Sequence, residues 1–149
     1  MNQIFDFFLR SRRIGRRAIN RDTHAVLDYL TVGAFAFMAG FFWNSNKRAA
    51  TTAIVNGTAV LGASLFTDYS GSLKRVIPFE THGKIDIMQM TMAATMPLVL
   101  GFAGEAAAVP FILQAMNEAV VIFSTDWQSA GATVQSLPQP IEDAVSRIA

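Results

Sequence analysis

Long apolar stretches are the feature that most limits how this chain can fold. About 20 mainly apolar residues, at a helical rise of 1.5 Å, cross the roughly 30 Å hydrocarbon core of a bilayer. Helices of a soluble bundle would instead carry a polar face, and "AATTAIVNGTAVLGASLF" has none. Four stretches approach the spanning length with at most one charged side chain each: 25–43, 49–66, 85–103 and 106–124. We therefore predict an all-α integral membrane protein, a bundle of four transmembrane helices.

Composition excludes several kinds of functional site. The chain is 52% hydrophobic and 15% charged, against roughly 25% charged residues in soluble domains. It has no cysteine, which excludes disulfides, thiolate metal sites and thiol catalysis. The sequence contains no Gly-rich phosphate loop and no HExxH spacing, and no arginine–aromatic alternation suited to single-stranded nucleic acid. We expect neither enzyme activity nor a nucleic-acid partner.

The placement of positive charge predicts the orientation in the membrane. Six of the twelve Lys and Arg residues lie between Arg10 and Arg21, directly after the apolar "IFDFFL". We predict that residues 1–21 form an interfacial amphipathic segment whose arginines contact anionic lipid headgroups. With this segment inside, only Lys47 and Arg48 lie outside. The positive-inside rule then predicts a multi-pass protein of the bacterial inner membrane with both termini cytoplasmic.

Two similar stretches indicate an internal duplication. "THAVLDYL" begins at Thr23 and "THGKIDIM" begins at Thr81. The offset between these two threonines aligns 23–69 with 81–127 without a gap and gives ten identities in 47 pairs. Two hairpins of equal orientation would be related by a pseudo-twofold axis along the membrane normal. We predict one hairpin at 22–69, a cytoplasmic connection at 70–80, a second hairpin at 81–127 and a polar cytoplasmic tail at 128–149.

The second hairpin carries a motif with a family resemblance. The segment "TMPLVLGF", with Pro97, Gly101 and Phe102, resembles the two-helix repeats of bacterial SPW-repeat membrane proteins, whose helices pair around a Ser-Pro-Trp-like turn. Met96 and Leu98 stand where that turn has Ser and Trp, and the first hairpin has "FMAGFFW" without a proline. The resemblance implies a small membrane protein of tandem hairpins without an agreed activity.

Thr, His and Asp recur at the predicted cytoplasmic helix ends. Residues four apart share a helix face, so each His should lie beside an Asp. The two threonines that precede the histidines are predicted N-caps. The set comprises Thr23, His24, Asp28, Asp68, Thr81, His82, Asp86 and Asp126.

Asp68 and Asp126 end their helices, where the helix dipole disfavours a carboxylate. We therefore expect them to accept hydrogen bonds from imidazole or backbone N–H groups at the Thr-His helix starts. Three interpretations of the whole set stay open. It is a structural polar clasp between hairpins, a divalent metal site, or a pair of haem or chlorin ligands at His24 and His82. The first requires no cofactor besides bound lipid.

A second polar group lies deeper in the predicted membrane spans. It comprises Asn56, Gln114, Asn117 and Glu118. Because Asn56 and Gln114 align in the duplication, we expect them to face each other and Glu118 across the bundle. Glu118 is then either a hydrogen-bonding group between helices or part of an ion pathway.

These features favour a non-catalytic accessory or scaffolding subunit of a larger membrane complex. One alternative is a small transporter or channel with a midplane site around Glu118. A second alternative is an electron-transfer bundle that binds haem or pigment through His24 and His82.

Overall fold

The fold is all-helical, as predicted. The structure, a computed structural model, describes residues 18–128, so the predictions for residues 1–17 and for the tail from residue 129 onward lie outside the described residues. A short 3₁₀ turn, Ala106–Ala108, precedes the last helix. Within residues 18–128 there are four α-helices: α1 (Arg21–Phe42), α2 (Lys47–Phe66), α3 (Phe79–Val99) and α4 (Val109–Ser124).

In the part of the chain that the structure describes, three segments are long and apolar enough to cross a membrane: α1, α2, and Ala106–Ser124, which contains α4. The prediction of membrane-spanning helices is confirmed in length and composition for these three. Helix α3 differs because it begins at Phe79 rather than near residue 85 and ends at Val99. Its length therefore takes in the polar residues of "ETHGKID", which lower its mean hydropathy.

Asparagine side chains define the starts of α1 and α2. The Oδ1 atom of Asn20 accepts a hydrogen bond from the Thr23 backbone N at 2.9 Å, and Asn46 Oδ1 accepts one from Ala49 N at 3.1 Å. Helix α3 instead follows Pro78, with no side-chain cap. The predicted N-caps Thr23 and Thr81 are therefore wrong: both lie inside the first turn, because each helix begins earlier than its apolar stretch.

The helices pack as two hairpins with an apolar core toward the end where each hairpin turns. Helix α1 lies along α2, α3 lies along α4, and α2 also contacts α3. Phe35 and Phe111 are fully buried in this core, with ring centroids 6.4 Å apart. A Cβ atom added at Gly57 would lie 3.0 Å from the Cβ of Phe35. The small residue therefore lets α2 approach α1 closely.

At the opposite end, the entry of each hairpin pairs with the exit of the other. Ile19 forms a parallel bridge with Thr125, and Ile77 forms one with Thr67. Asp126 N donates to Ile19 O at 2.8 Å, and Asp68 N donates to Ile77 O at 2.9 Å. The two sets of contacts are related by the same offset as the two matching stretches of sequence. These backbone contacts join the two hairpins next to the starts of α1 and α3.

The close approach at Gly57 generates a stability prediction. Gly57→Ala should lower the free energy of unfolding by about 1–3 kcal/mol, because the Cβ of Phe35 cannot rotate away from an added methyl group. Gly62→Ala in the same helix is the control. Nothing lies within 4 Å of its added Cβ, so stability should stay the same or rise by up to about 1 kcal/mol. Thermal unfolding in detergent measures both; equal midpoints for the two variants would contradict the packing of α1 on α2.

Candidate functional site: a buried histidine–aspartate cluster

Two histidines and two aspartates meet between the hairpins. His24 and Asp28 lie one turn apart on α1, and His82 and Asp86 lie one turn apart on α3. All four side chains are buried, and one ligand atom from each lies within 4.8 Å of the others. The residues that the sequence predicted to share a helix face therefore also meet across the bundle.

Each carboxylate contacts both imidazoles. The Nε2 atom of His24 lies 3.3 Å from Asp28 Oδ1 and 3.1 Å from Asp86 Oδ2. The Nε2 atom of His82 lies 2.9 Å from Asp28 Oδ2 and 3.1 Å from Asp86 Oδ1. The contacts form a closed ring of alternating nitrogen atoms and carboxylates, so the cluster joins α1 to α3 twice.

Two threonines fix the orientation of the imidazole rings. Thr67 Oγ1 lies 2.7 Å from His82 Nδ1, and Thr125 Oγ1 lies 2.9 Å from His24 Nδ1. Each hydroxyl also donates its only hydrogen to a backbone carbonyl of its own helix at 2.7 Å. It must therefore accept from the ring, which places a proton on Nδ1 of both histidines. Nε2 of each ring is thereby directed at the carboxylates.

Asp68, which follows one of these threonines, does not contact an imidazole as predicted. The Asp68 carboxylate accepts a hydrogen bond from Arg21 at 3.1 Å, whereas the imidazole of His82 contacts Thr67. The predicted contact from Asp68 to imidazole is therefore wrong. Asp126 Oδ1 accepts from the Gln128 backbone N at 3.2 Å, within its own turn. The repeated "TD" in the sequence does mark a contact with the histidines, but the threonine rather than the aspartate provides it.

Aromatic rings enclose the cluster at the end of the bundle. Trp127 lies 4.9 Å from the ring of His24, and Tyr69 lies 5.4 Å from that of His82. The Tyr69 hydroxyl donates to Asp28 Oδ2 at 2.7 Å. Burial, reinforced by the negative charge of Asp28, raises the pKa of the Tyr69 hydroxyl, so it stays a donor. Water is therefore largely excluded from this side of the cluster.

The deeper polar residues form two separate contacts. Gln89 Nε2 on α3 donates to Asn56 Oδ1 on α2 at 3.1 Å. Gln114 Nε2 on α4 donates to Thr31 Oγ1 on α1 at 3.3 Å and to Glu118 Oε2 at 3.4 Å. The prediction that Asn56 faces Gln114 is therefore wrong. Asn56 instead contacts α3 of the second hairpin, and Gln114 contacts α1 of the first. The duplication aligns these two contacts, because it pairs Asn56 with Gln114 and Thr31 with Gln89.

A small void separates Glu118 from the cluster. Its lining includes His24, Asp86, Asn117 and Glu118, and its volume is about 10 Å³. A cavity of roughly 10–15 Å³ is the least that holds one water molecule. The site therefore has the donors to bind a single ion or proton, but no space for an organic substrate.

No family model, curated protein or solved structure matches this chain.

The threonine contacts generate a second stability prediction. Thr67→Val keeps the side-chain shape but removes the acceptor of the His82 Nδ1 proton, and an unpaired buried donor costs about 1–3 kcal/mol. We expect a loss of unfolding free energy in that range. The control is Thr91→Val on α3, because the Thr91 hydroxyl is exposed and bonds only within its own helix; its effect should stay within about 0.5 kcal/mol. A neutral Thr67→Val would contradict the assigned ring orientation.

Proposed function

We propose that this protein is a non-catalytic integral membrane protein that serves as an accessory or scaffolding subunit of a larger membrane assembly. One observation carries the proposal. The polar side chains between the helices contact one another, whereas large apolar side chains cover the outside. On α1, Phe37 and Phe41 are 73% and 68% exposed. On α4, Leu113, Met116 and Val120 are exposed as well. Such a surface suits lipid and neighbouring helices rather than water.

The proposal includes α3 as a fourth membrane span. Its low hydropathy comes in part from His82, Asp86 and Gln89, which are buried between helices and would not meet lipid. Glu80 and Lys84 are exposed near its start, where lipid headgroups accept charge. Four crossings would return the chain to its starting side. The charge distribution then favours cytoplasmic termini in a bacterial inner membrane.

The small void favours a scaffold over the alternatives. A space of about 10 Å³ beside Glu118 does not accommodate a transported solute or an enzyme substrate. The rings of His24 and His82 have centroids 5.4 Å apart and contact edge to face. A haem or chlorin between them would have to displace both aspartates. Pigment binding and solute transport are therefore less well supported than a structural role.

The exposed aromatic residues of α1 provide the partner surface to test. Phe37 and Phe41 stack at 6.1 Å on the outside of the bundle, and large aromatic residues often dominate binding energy at protein interfaces. After mild solubilisation of native membranes, the wild-type protein should migrate in a complex well above its own 16.2 kDa. Phe37→Ala with Phe41→Ala should shift it toward the monomer without changing its helical content.

Leu113→Ala with Val120→Ala, on the outer face of α4, is the matched control and should leave the complex intact. Two results would overturn the proposal: wild-type protein that migrates as a monomer under the mildest solubilisation, or a complex that neither double variant affects.

A further inference from the structure

We propose that His24, Asp28, His82 and Asp86 bind one divalent transition-metal ion of the zinc class between the two hairpins. The inference goes beyond the scaffolding role, because a scaffold of this fold needs no metal. It gives a ligand to a buried cluster of two carboxylates and two imidazoles.

The spacing of the donor atoms suits a four-coordinate metal. In a tetrahedral site with metal–ligand distances of roughly 2.0–2.1 Å, neighbouring donor atoms are roughly 3.3 Å apart. Neighbouring nitrogen and oxygen atoms in the cluster are 2.9–3.3 Å apart. The other donor pairs lie within 4.8 Å, so the side chains must draw together by up to roughly 1.5 Å to enclose an ion in a tetrahedral site.

Outer contacts prepare the donors for a metal. Histidine ligands typically donate their second ring N–H to a neighbouring oxygen, which fixes the tautomer and leaves the other nitrogen to bind the ion. Thr67 and Thr125 accept these protons at Nδ1 of His82 and His24. Tyr69 and Ser64 donate to the Asp28 carboxylate at 2.7 and 3.4 Å. Both histidines and Asp28 are thus held in orientation by groups outside the cluster.

The Nε2 atom of His82 supports a metal site independently of the donor spacing. The residue is fully buried, and this nitrogen has no hydrogen-bond partner of acceptable geometry, although two carboxylate oxygens lie within 3.1 Å. A proton on Nε2 would therefore point at neither oxygen. A metal ion at the centre of the cluster would use the nitrogen lone pair directly.

Charge balance and ligand type indicate which ion fits. Metal binding uses both imidazoles in their neutral form, and the cluster then contributes two negative charges away from water, which is costly without a counter-charge. One divalent cation cancels them. Two imidazole nitrogens with two carboxylates favour zinc and neighbouring first-row metals over Ca²⁺ and Mg²⁺, which prefer all-oxygen sites.

Cobalt titration of the full-length protein tests the proposal. After chelator treatment in mild detergent, Co²⁺ should bind at one ion per chain and give the visible absorption of a tetrahedral site, and Zn²⁺ should abolish that absorption. Asp28→Asn with Asp86→Asn should weaken binding by more than the roughly 10- to 100-fold that loss of an outer contact costs. Asp68→Asn with Glu105→Gln removes two carboxylates outside the cluster and should bind Co²⁺ like wild type.

X-ray absorption at the zinc edge of the wild-type protein keeps the test decisive if the cluster variant fails to fold. The expected result is two imidazole nitrogens and two oxygens at about 2.0–2.1 Å. The proposal is overturned if Co²⁺ fails to bind stoichiometrically, if the cluster variant binds it as well as wild type, or if the zinc spectrum lacks imidazole.

Discussion

Two carboxylates buried side by side are the constraint on which this structure depends. Asp28 and Asp86 lie on different hairpins, and each contacts both histidines. Buried charges of like sign repel strongly and are tolerated only with paired counter-charges and oriented hydrogen-bond donors. Tyr69 and Ser64 donate hydrogen bonds to the Asp28 carboxylate, and the Thr67 and Thr125 hydroxyls orient the imidazoles by accepting from Nδ1. The cluster exists only when both hairpins are in place, so it couples their folding.

The same constraint explains how polar and apolar residues are distributed. Because the charged groups and amides contact one another between the helices, the outer surface is left to apolar side chains such as Phe37 and Leu113. At the hairpin-turn end, Phe35, Phe111 and closely packed small residues fill the interior, and at the surface Asn46 and Arg48 of the first turn both bond to Glu105 of the second. The buried ionisable groups are thus gathered in the interior of one end of the bundle, whereas the interior of the other end is apolar. A surface of this kind suits a lipid environment, in keeping with the three described segments that are long and apolar enough to cross a membrane.

The sequence predicts the helices and the pairs of His and Asp on α1 and α3, because both follow from helical periodicity. It mispredicts Asp68 because the chain leaves α2 in an extended conformation beside Ile77. Successive side chains then point to opposite sides, so Thr67 turns inward while Asp68 turns toward Arg21. It also mispredicts Asn56, whose partner Gln89 depends on how far each helix is rotated about its axis. Neither the backbone conformation after α2 nor the rotation of a helix about its axis can be read from residue spacing.

The central claim is that both buried imidazoles carry a proton on Nδ1 and turn Nε2 toward the shared aspartates. Nuclear magnetic resonance of protein labelled with ¹⁵N only at histidine measures this directly, because the chain has two histidines, at positions 24 and 82. The account predicts a protonated Nδ1 in both rings, slow exchange with water, and a change confined to Nε2 when Zn²⁺ is added. Rings that carry their proton on Nε2 alone, or that exchange rapidly with solvent, would contradict it.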